Sequence, residues 1–126
     1  MKHDKAIQVV IVDDHAIVRK GLRSMLEGYP DIHVVGEARN GLEAIFVVDK
    51  FRPRVVLMDI NMPKMNGIEA AAQITMGYPD TRIIGLSEHA AAENQEAIKR
   101  TGAVQLVSKE ATIEELYDAI YQAVKP

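Results

Sequence analysis

Short runs of valine, isoleucine and leucine recur along this chain, and most of them end at a polar or charged residue. Such runs are typical of strands that are buried on both faces of a parallel sheet. They therefore predict a sheet that is covered by helices on both sides. The predicted strands are residues 9–12, 32–38, 55–58, 83–86 and 106–108.

Helical patterns fill the segments between these strands. Val18, Leu22, Met25 and Leu26 recur at helical spacing and are expected to face the core, and the helix should end before Gly28. Three further helices should begin at a capping side chain that is followed three residues later by a glutamate. These caps are Asn40, Asn66 and Thr112. The apolar face of the last helix is formed by Leu116, Ala119, Ile120, Ala123 and Val124.

Strands and helices alternate strictly, which predicts an α/β fold: a doubly wound, five-stranded parallel sheet of five βα units. The third helix should end at Gly77. The fourth, over residues 90–100, has Ile98 as its single large apolar residue and is expected to be weakly anchored. With 126 residues, the whole chain (1–126) is expected to be one domain.

Composition excludes several classes of function. The chain has no cysteine, which rules out disulfides, thiolate metal sites and a cysteine nucleophile. A formal net charge of −3 gives no basic surface for nucleic acid, so we expect no DNA binding by these residues alone. No apolar stretch approaches the ~18 residues that cross a membrane, and the polar N-terminal segment does not resemble a signal peptide. A cytoplasmic location without membrane association is therefore expected.

Reactive side chains follow four of the predicted strands. Asp13 and Asp14 follow the first strand, Asp59 the third, Ser87 the fourth, and Lys109 the fifth. Because ligands of such sheets bind at the carboxyl ends of the strands, these five side chains are expected to form one site. Three carboxylates, with no imidazole assigned to them, suit Mg²⁺. Asp59 is the candidate nucleophile for an aspartyl phosphate.

Each of these residues also has an ordinary structural interpretation. Asp13 and Asp14 would serve as a helix cap, Asp59 as the first residue of a turn, and Lys109 as a solvated lysine. Ser87 would be a strand-end hydroxyl. Their coincidence at four strand ends, in the chemical types that phosphoryl transfer needs, favours the functional interpretation.

The motifs around these residues resemble the receiver domain of bacterial two-component response regulators, over almost the whole chain. The resemblance implies a flavodoxin-like sheet in which Asp59 accepts a phosphoryl group from a sensor histidine kinase or a phosphotransfer protein. The matching segments are Val12-Asp13-Asp14-His15, residues 57–67 (Leu-Met-Asp-Ile-Asn-Met-Pro-Lys-Met-Asn-Gly), Gly85-Leu86-Ser87 and Val107-Ser108-Lys109.

The same resemblance assigns a role to each site residue. It implies that Asp13 or Asp14, together with Asp59 and the backbone carbonyl of Asn61, holds Mg²⁺. Ser87 would bind the phosphate and Lys109 would neutralise it. Beyond its own phosphorylation and dephosphorylation, such a domain is not an enzyme.

Two features resemble the NarL/FixJ subfamily of receivers, which usually carries a LuxR-type effector. They are the segment that begins at His15 and the acidic residue that follows Lys109. That effector, a C-terminal helix-turn-helix, is absent from these residues. DNA binding and regulation of transcription would therefore belong to a domain outside this chain. A homodimer is compatible with the resemblance.

Three positions depart from the family pattern. Leu106 stands where such domains commonly have a switch tyrosine or phenylalanine, and Gln105 stands where glycine is frequent. Glu88 follows Ser87 where a small or apolar residue is usual, and it is expected to repel small anionic phosphodonors. These departures leave open a pseudo-receiver that acts as a docking scaffold with weak switching.

Two other classes of protein compete with this interpretation. An aspartyl-phosphate phosphatase or phosphomutase would typically carry a second acid two residues after the nucleophile, where this chain has Asn61. A flavin carrier would favour aromatic stacking, and the chain has no tryptophan.

Overall fold

A computed structural model describes residues 6–60, 67–87 and 105–125 of the chain. The strands are β1 (Ile7–Val12), β2 (Ile32–Ala38), β3 (Val55–Asp59), β4 (Arg82–Ser87) and β5 (Gln105–Ser108). The helices in these ranges are α1 (Ala16–Leu26), α2 (Gly41–Phe51), α3 (Gly67–Gly77) and α4 (Ile113–Val124). The helix predicted over residues 90–100 and the cap predicted at Asn66 lie outside the described residues.

The five strands form one parallel sheet in the order β2-β1-β3-β4-β5. This order confirms the predicted flavodoxin-like, doubly wound fold. The chain winds outward in one direction from β1 to β2 and in the other from β3 to β5, so the switch point lies between β1 and β3. At that point Val12 pairs with Met58, which brings the residues that follow the two strands side by side.

Two apolar layers enclose the sheet because successive strand residues face opposite sides. On one side, Val9, Ile11 and Leu57 pack with residues of α1 and α4. On the other side, Val10 and Met58 pack with residues of α2 and α3. Each fully buried aliphatic side chain contributes about 1.5–3 kcal/mol, so the sheet is a rigid support for the loops at its edge.

The helix boundaries follow the predicted caps. The Asn40 side chain accepts a hydrogen bond from the Glu43 amide at 2.9 Å and begins α2. Thr112 and Glu115 form a reciprocal capping box at the start of α4. Among the described helices, none is both long and apolar enough to cross a bilayer.

The prediction that Met25 faces the core is wrong. Met25 is 51% exposed, whereas Leu26 is fully buried. Consecutive helix residues point about 100° apart, so turning Leu26 onto the sheet turns Met25 away from it. Val18 and Leu22 are half-buried at the edge of the same stripe.

The capping box of α4 yields a stability prediction. Thr112→Ala should lower the free energy of unfolding by about 1 kcal/mol, because the Glu115 amide loses its side-chain acceptor. Thr112→Ser keeps a hydroxyl at the N-cap and is the matched control, expected to leave the free energy of unfolding near the wild-type value. Urea unfolding followed by circular dichroism measures both variants, and equal losses would contradict the role of the hydroxyl.

Candidate functional site

The strand ends that carry the predicted site residues are held together by backbone hydrogen bonds. The Ile60 amide donates to the Leu86 carbonyl at 3.1 Å, and the Lys109 amide donates to the Ser87 carbonyl at 2.8 Å. Both bonds continue the sheet ladder one step beyond the strands. The backbone beside Asp59, Ser87 and Lys109 is therefore fixed by the sheet.

Two carboxylates are buried at the centre of this edge, and one lysine reaches both. Asp59 is 2% exposed and Asp13 is fully buried. The Lys109 ammonium lies 3.0 Å from Asp59 Oδ2 and 3.4 Å from Asp13 Oδ2. The structure thus brings Lys109 together with Asp59 and Asp13 at the carboxyl ends of the strands.

The pKa of Lys109 records this environment. Burial lowers the pKa of the ammonium, but the hydrogen bond and charge of Asp59, with a smaller contribution from Asp13, raise it above the ordinary value. Lys109 is therefore charged at neutral pH. It is the cation that allows two carboxylates to share a buried edge.

The acidic residues fit a divalent metal ion. Asp13 Oδ2 is buried without a hydrogen-bond donor, since its contact with Lys109 lies outside hydrogen-bond geometry. Asp14 extends the acidic surface outward, with a side chain that is 29% exposed. Asp13, Asp14 and Asp59 carry three negative charges against one positive charge on Lys109, which leaves two negative charges to be balanced. Hard oxygen donors of this kind suit Mg²⁺.

A network around α1 holds the loop that carries Asp13. The Arg19 guanidinium donates to the Asp13 carbonyl at 2.7 Å and to Glu37 Oε1 at 3.0 Å. Burial raises the pKa of the Glu37 carboxyl, but hydrogen bonds from Arg23 and Arg19 outweigh burial and lower it. Arg19 was not singled out by the sequence analysis. The sequence feature that could have indicated Arg19 is its position about one turn after the start of α1.

The structure corrects the expectation that no imidazole lies among the carboxylates. His15 Nδ1 is 3.1 Å from Asp13 Oδ1 and 3.0 Å from Asp14 Oδ1. His15 is also the N-cap residue of α1, so Asp13 and Asp14 are not the helix cap. The His15 amide donates to Asp13 Oδ1 at 2.8 Å, which turns the loop back on itself and brings the ring to the carboxylates.

Ser87 and Leu106 lie on neighbouring strands next to the acidic centre. Ser87 is 1% exposed at the end of β4, and Leu106 is 7% exposed on β5. Leu106 packs in the apolar layer on the α2 and α3 side of the sheet, so the residue at the expected switch position is part of the core. Asn61 and Glu88, the other two predicted site residues, lie outside the described residues.

An apolar pocket of about 170 Å³ lies beside Lys109, between α1 and α4. Its lining includes Val18, Leu22, Leu86 and Leu116 and contains no aromatic side chain. Within the described residues, this pocket therefore has no aromatic surface on which a flavin ring could stack.

Comparison with known proteins supports this picture. The family model for the response regulator receiver domain matches residues 9–121. The chain is similar to the transcriptional regulatory protein DegU of Brevibacillus brevis, with 37% identity over 118 residues that cover 94% of this chain and 50% of DegU. Its fold is similar to that of a LuxR-family two-component response regulator from Aurantimonas sp. SI85-9A1, with a TM-score of 0.90, 32% identity, and coverage of 95% and 86% of the two chains.

The similarity also extends to a protein with a different output. A protein-glutamate methylesterase/protein-glutamine glutaminase of Thermotoga maritima is 43% identical over 109 residues, which cover 84% of this chain and 31% of that protein. The chain spans about half the length of the transcriptional regulators that it matches. The shared part is thus a unit that occurs with more than one kind of additional sequence.

Removal of the central cation should have a pH signature. Lys109→Met should lower the free energy of unfolding by about 2 kcal/mol at neutral pH, because two buried carboxylates lose their partner and the site is partly open to solvent. The pKa of Lys109 is raised, so its stabilising effect is complete below the ordinary value of 10.5 and disappears as the pH rises through the raised value.

Urea unfolding of the wild type and Lys109→Met across this pH range measures the effect. The exposed Lys20, on α1, provides the control variant Lys20→Met, which should be near wild type throughout. A difference between wild type and Lys109→Met that stays constant into strongly alkaline solution would contradict the assignment.

Proposed function

The chain belongs to the family of response regulator receiver domains, in the NarL/FixJ or LuxR-type subfamily, and we propose that it accepts a phosphoryl group on Asp59. The observation that carries the proposal is the contact of 3.0 Å between the Lys109 ammonium and the buried Asp59 carboxylate. A buried carboxylate that already faces a fixed cation is held where developing phosphate charge can be neutralised.

The proposed reaction uses one oxygen of Asp59 as the nucleophile. This oxygen forms a bond to phosphorus while the bond from phosphorus to the donor, a histidine nitrogen of the partner, breaks. The electron pair of that bond stays on the leaving nitrogen, and Asp59 becomes an acyl phosphate. Lys109 then pairs with a phosphate oxygen, and the Ser87 hydroxyl donates a hydrogen bond to another.

Metal binding belongs to the same proposal. Asp13, Asp14 and Asp59 would hold Mg²⁺, and the backbone carbonyl of Asn61, outside the described residues, would complete the protein ligands. When bound, the ion would supply positive charge that offsets the negative charge of the carboxylates and of the phosphoryl group. The buried Asp13 Oδ2 without a hydrogen-bond donor supports this assignment.

The partners follow from the same chemistry. We propose that residues 1–126 are the receiver and that a sensor histidine kinase or phosphotransfer protein in the cytoplasm is the donor. The transcriptional regulators that match are about twice as long, which supports an output in transcription through a further domain. DNA binding, and the homodimer that would present it, are proposed for that longer protein. No enzymatic turnover beyond Asp59 itself is proposed.

The main alternative is a docking scaffold that is not phosphorylated. The contacts of Lys109 with Asp59 and Asp13 support a phosphorylated receiver over this alternative. A phosphatase would instead release inorganic phosphate steadily from acetyl phosphate, which a phosphate assay of the same reaction mixture detects.

Acetyl phosphate with Mg²⁺, followed by intact-mass spectrometry, tests the function. The wild type should gain one labile phosphoryl group, and Asp59→Asn should gain none. Asp118→Asn removes an exposed carboxylate on α4 and is the matched control, expected to label like the wild type. Asp14→Asn should require more Mg²⁺. Labelling of Asp59→Asn at the wild-type level would refute the acceptor, and an unlabelled wild type would favour the scaffold.

A second experiment addresses the response to phosphorylation. Leu106 is buried and has no phenolic hydroxyl that could alternate between partners, so it should differ little in free energy between the two states. Beryllofluoride should therefore protect Asp59, Ser87 and Lys109 from hydrogen exchange and change residues 90–100 only slightly.

Leu106→Tyr should enlarge the change over residues 90–100, because it restores the side chain that the family uses. Leu106→Met preserves size and apolar character and is the control. Strong protection of residues 90–100 in the beryllofluoride-treated wild type would show that switching does not need an aromatic residue here.

A further inference from the structure

His15 places a nitrogen donor at the edge of the acidic pocket. Its Nδ1 lies 3.1 Å from Asp13 Oδ1 and 3.0 Å from Asp14 Oδ1, while the ring is 66% exposed. The nitrogen is therefore reached from solvent on one side and from two carboxylates on the other. One ligand atom from each of the three residues lies within 4.8 Å of the others.

These separations match those of ligands around a metal ion. With bonds of about 2.1 Å at right angles, neighbouring ligand atoms lie about 3.0 Å apart. The nitrogen is at this distance from both carboxylate oxygens. A divalent ion bound by Nδ1 and these two oxygens would replace the present contacts of the ring with the carboxylates.

A second observation points to a ligand in this pocket. Asp13 is fully buried, and its Oδ2 has no hydrogen-bond donor. The neighbouring Lys109 balances part of the negative charge of Asp13, but its ammonium lies closer to Asp59, at 3.0 Å. Asp13 Oδ2 faces Lys109, whereas Oδ1 faces His15, so the pocket that His15 borders keeps negative charge that a further cation can balance.

We propose that His15 is a metal ligand that lets the pocket bind transition-metal ions, such as Ni²⁺ and Mn²⁺, through one nitrogen and two carboxylates. Imidazole suits Ni²⁺ in particular, and Mn²⁺ serves as a spectroscopic probe of the same pocket, whereas Mg²⁺ prefers oxygen ligands and keeps its water. His15 thus sets which divalent ion occupies the pocket. The inference rests on the metal-binding part of the proposed function and is independent of phosphoryl transfer to Asp59.

His15→Asn is the sharpest test variant. Asparagine is a favoured N-cap residue, so α1 should still begin at this position, and its amide can still donate to the carboxylates. It does not replace imidazole as a ligand. The matched control is His33→Asn. His33 is exposed and is the second residue of β2, so it lies at the end of the sheet opposite to the site.

Isothermal titration of protein without an affinity tag measures Ni²⁺ and Mg²⁺ binding. His15→Asn should weaken Ni²⁺ binding by about tenfold or more and change Mg²⁺ binding by less than about twofold, because only the nitrogen is lost. His33→Asn should match the wild type for both ions. Electron spin-echo spectroscopy with bound Mn²⁺ should show coupling to an imidazole nitrogen in the wild type and lose it in His15→Asn.

Other outcomes overturn the inference. Equal Ni²⁺ affinity in the wild type and His15→Asn would show that His15 is not a ligand. A parallel loss of Ni²⁺ and Mg²⁺ binding, without a nitrogen signal in the wild type, would show that His15 only positions Asp13. Mg²⁺ binding with no His15 effect removes this inference alone, whereas absence of binding by either ion removes the metal site of the proposed function as well.

Discussion

The buried contact among Lys109, Asp59 and Asp13 is the constraint on which this molecule depends. Two carboxylates with almost no solvent access would repel each other at the end of the two central strands. The Lys109 ammonium, 3.0 Å from one and 3.4 Å from the other, makes that arrangement stable enough to fold. It also leaves negative charge over, which is why the site is suited to a metal ion and a phosphoryl group.

The fold supplies the rigidity that this contact needs. Asp13 follows β1 and Asp59 ends β3, two strands that are buried on both faces. The backbone hydrogen bonds of the sheet continue past the strands to Ile60 and Lys109. Arg19 ties the Asp13 carbonyl to Glu37 of β2, so the first loop is fixed from its outer side as well. Function is concentrated in side chains that stand on fixed backbone.

The chain is similar both to longer transcriptional regulators and to a methylesterase. The same kind of domain therefore occurs in proteins with different outputs. The phosphoryl chemistry that we propose lies at the described strand ends of the receiver domain, the unit that this chain shares with its family. In our proposals, the metal preference and the response depend on residues around this centre. His15 and Leu106 are two such residues, one at the rim of the pocket and one in the core behind it.

The sequence by itself determined the alternating elements, the capping residues and the presence of Asp13, Asp59, Ser87 and Lys109 at strand ends. These features follow from the spacing of apolar residues and from local hydrogen bonds. Both depend on residues that are close together in the sequence. Asn61, Glu88 and residues 90–100 lie outside the described residues, so their roles stay predictions.

Only the tertiary structure decided that Leu26 and not Met25 enters the core, and that the His15 ring folds back onto two carboxylates. Strand register and helix rotation, which depend on packing across the whole sheet, set these distances.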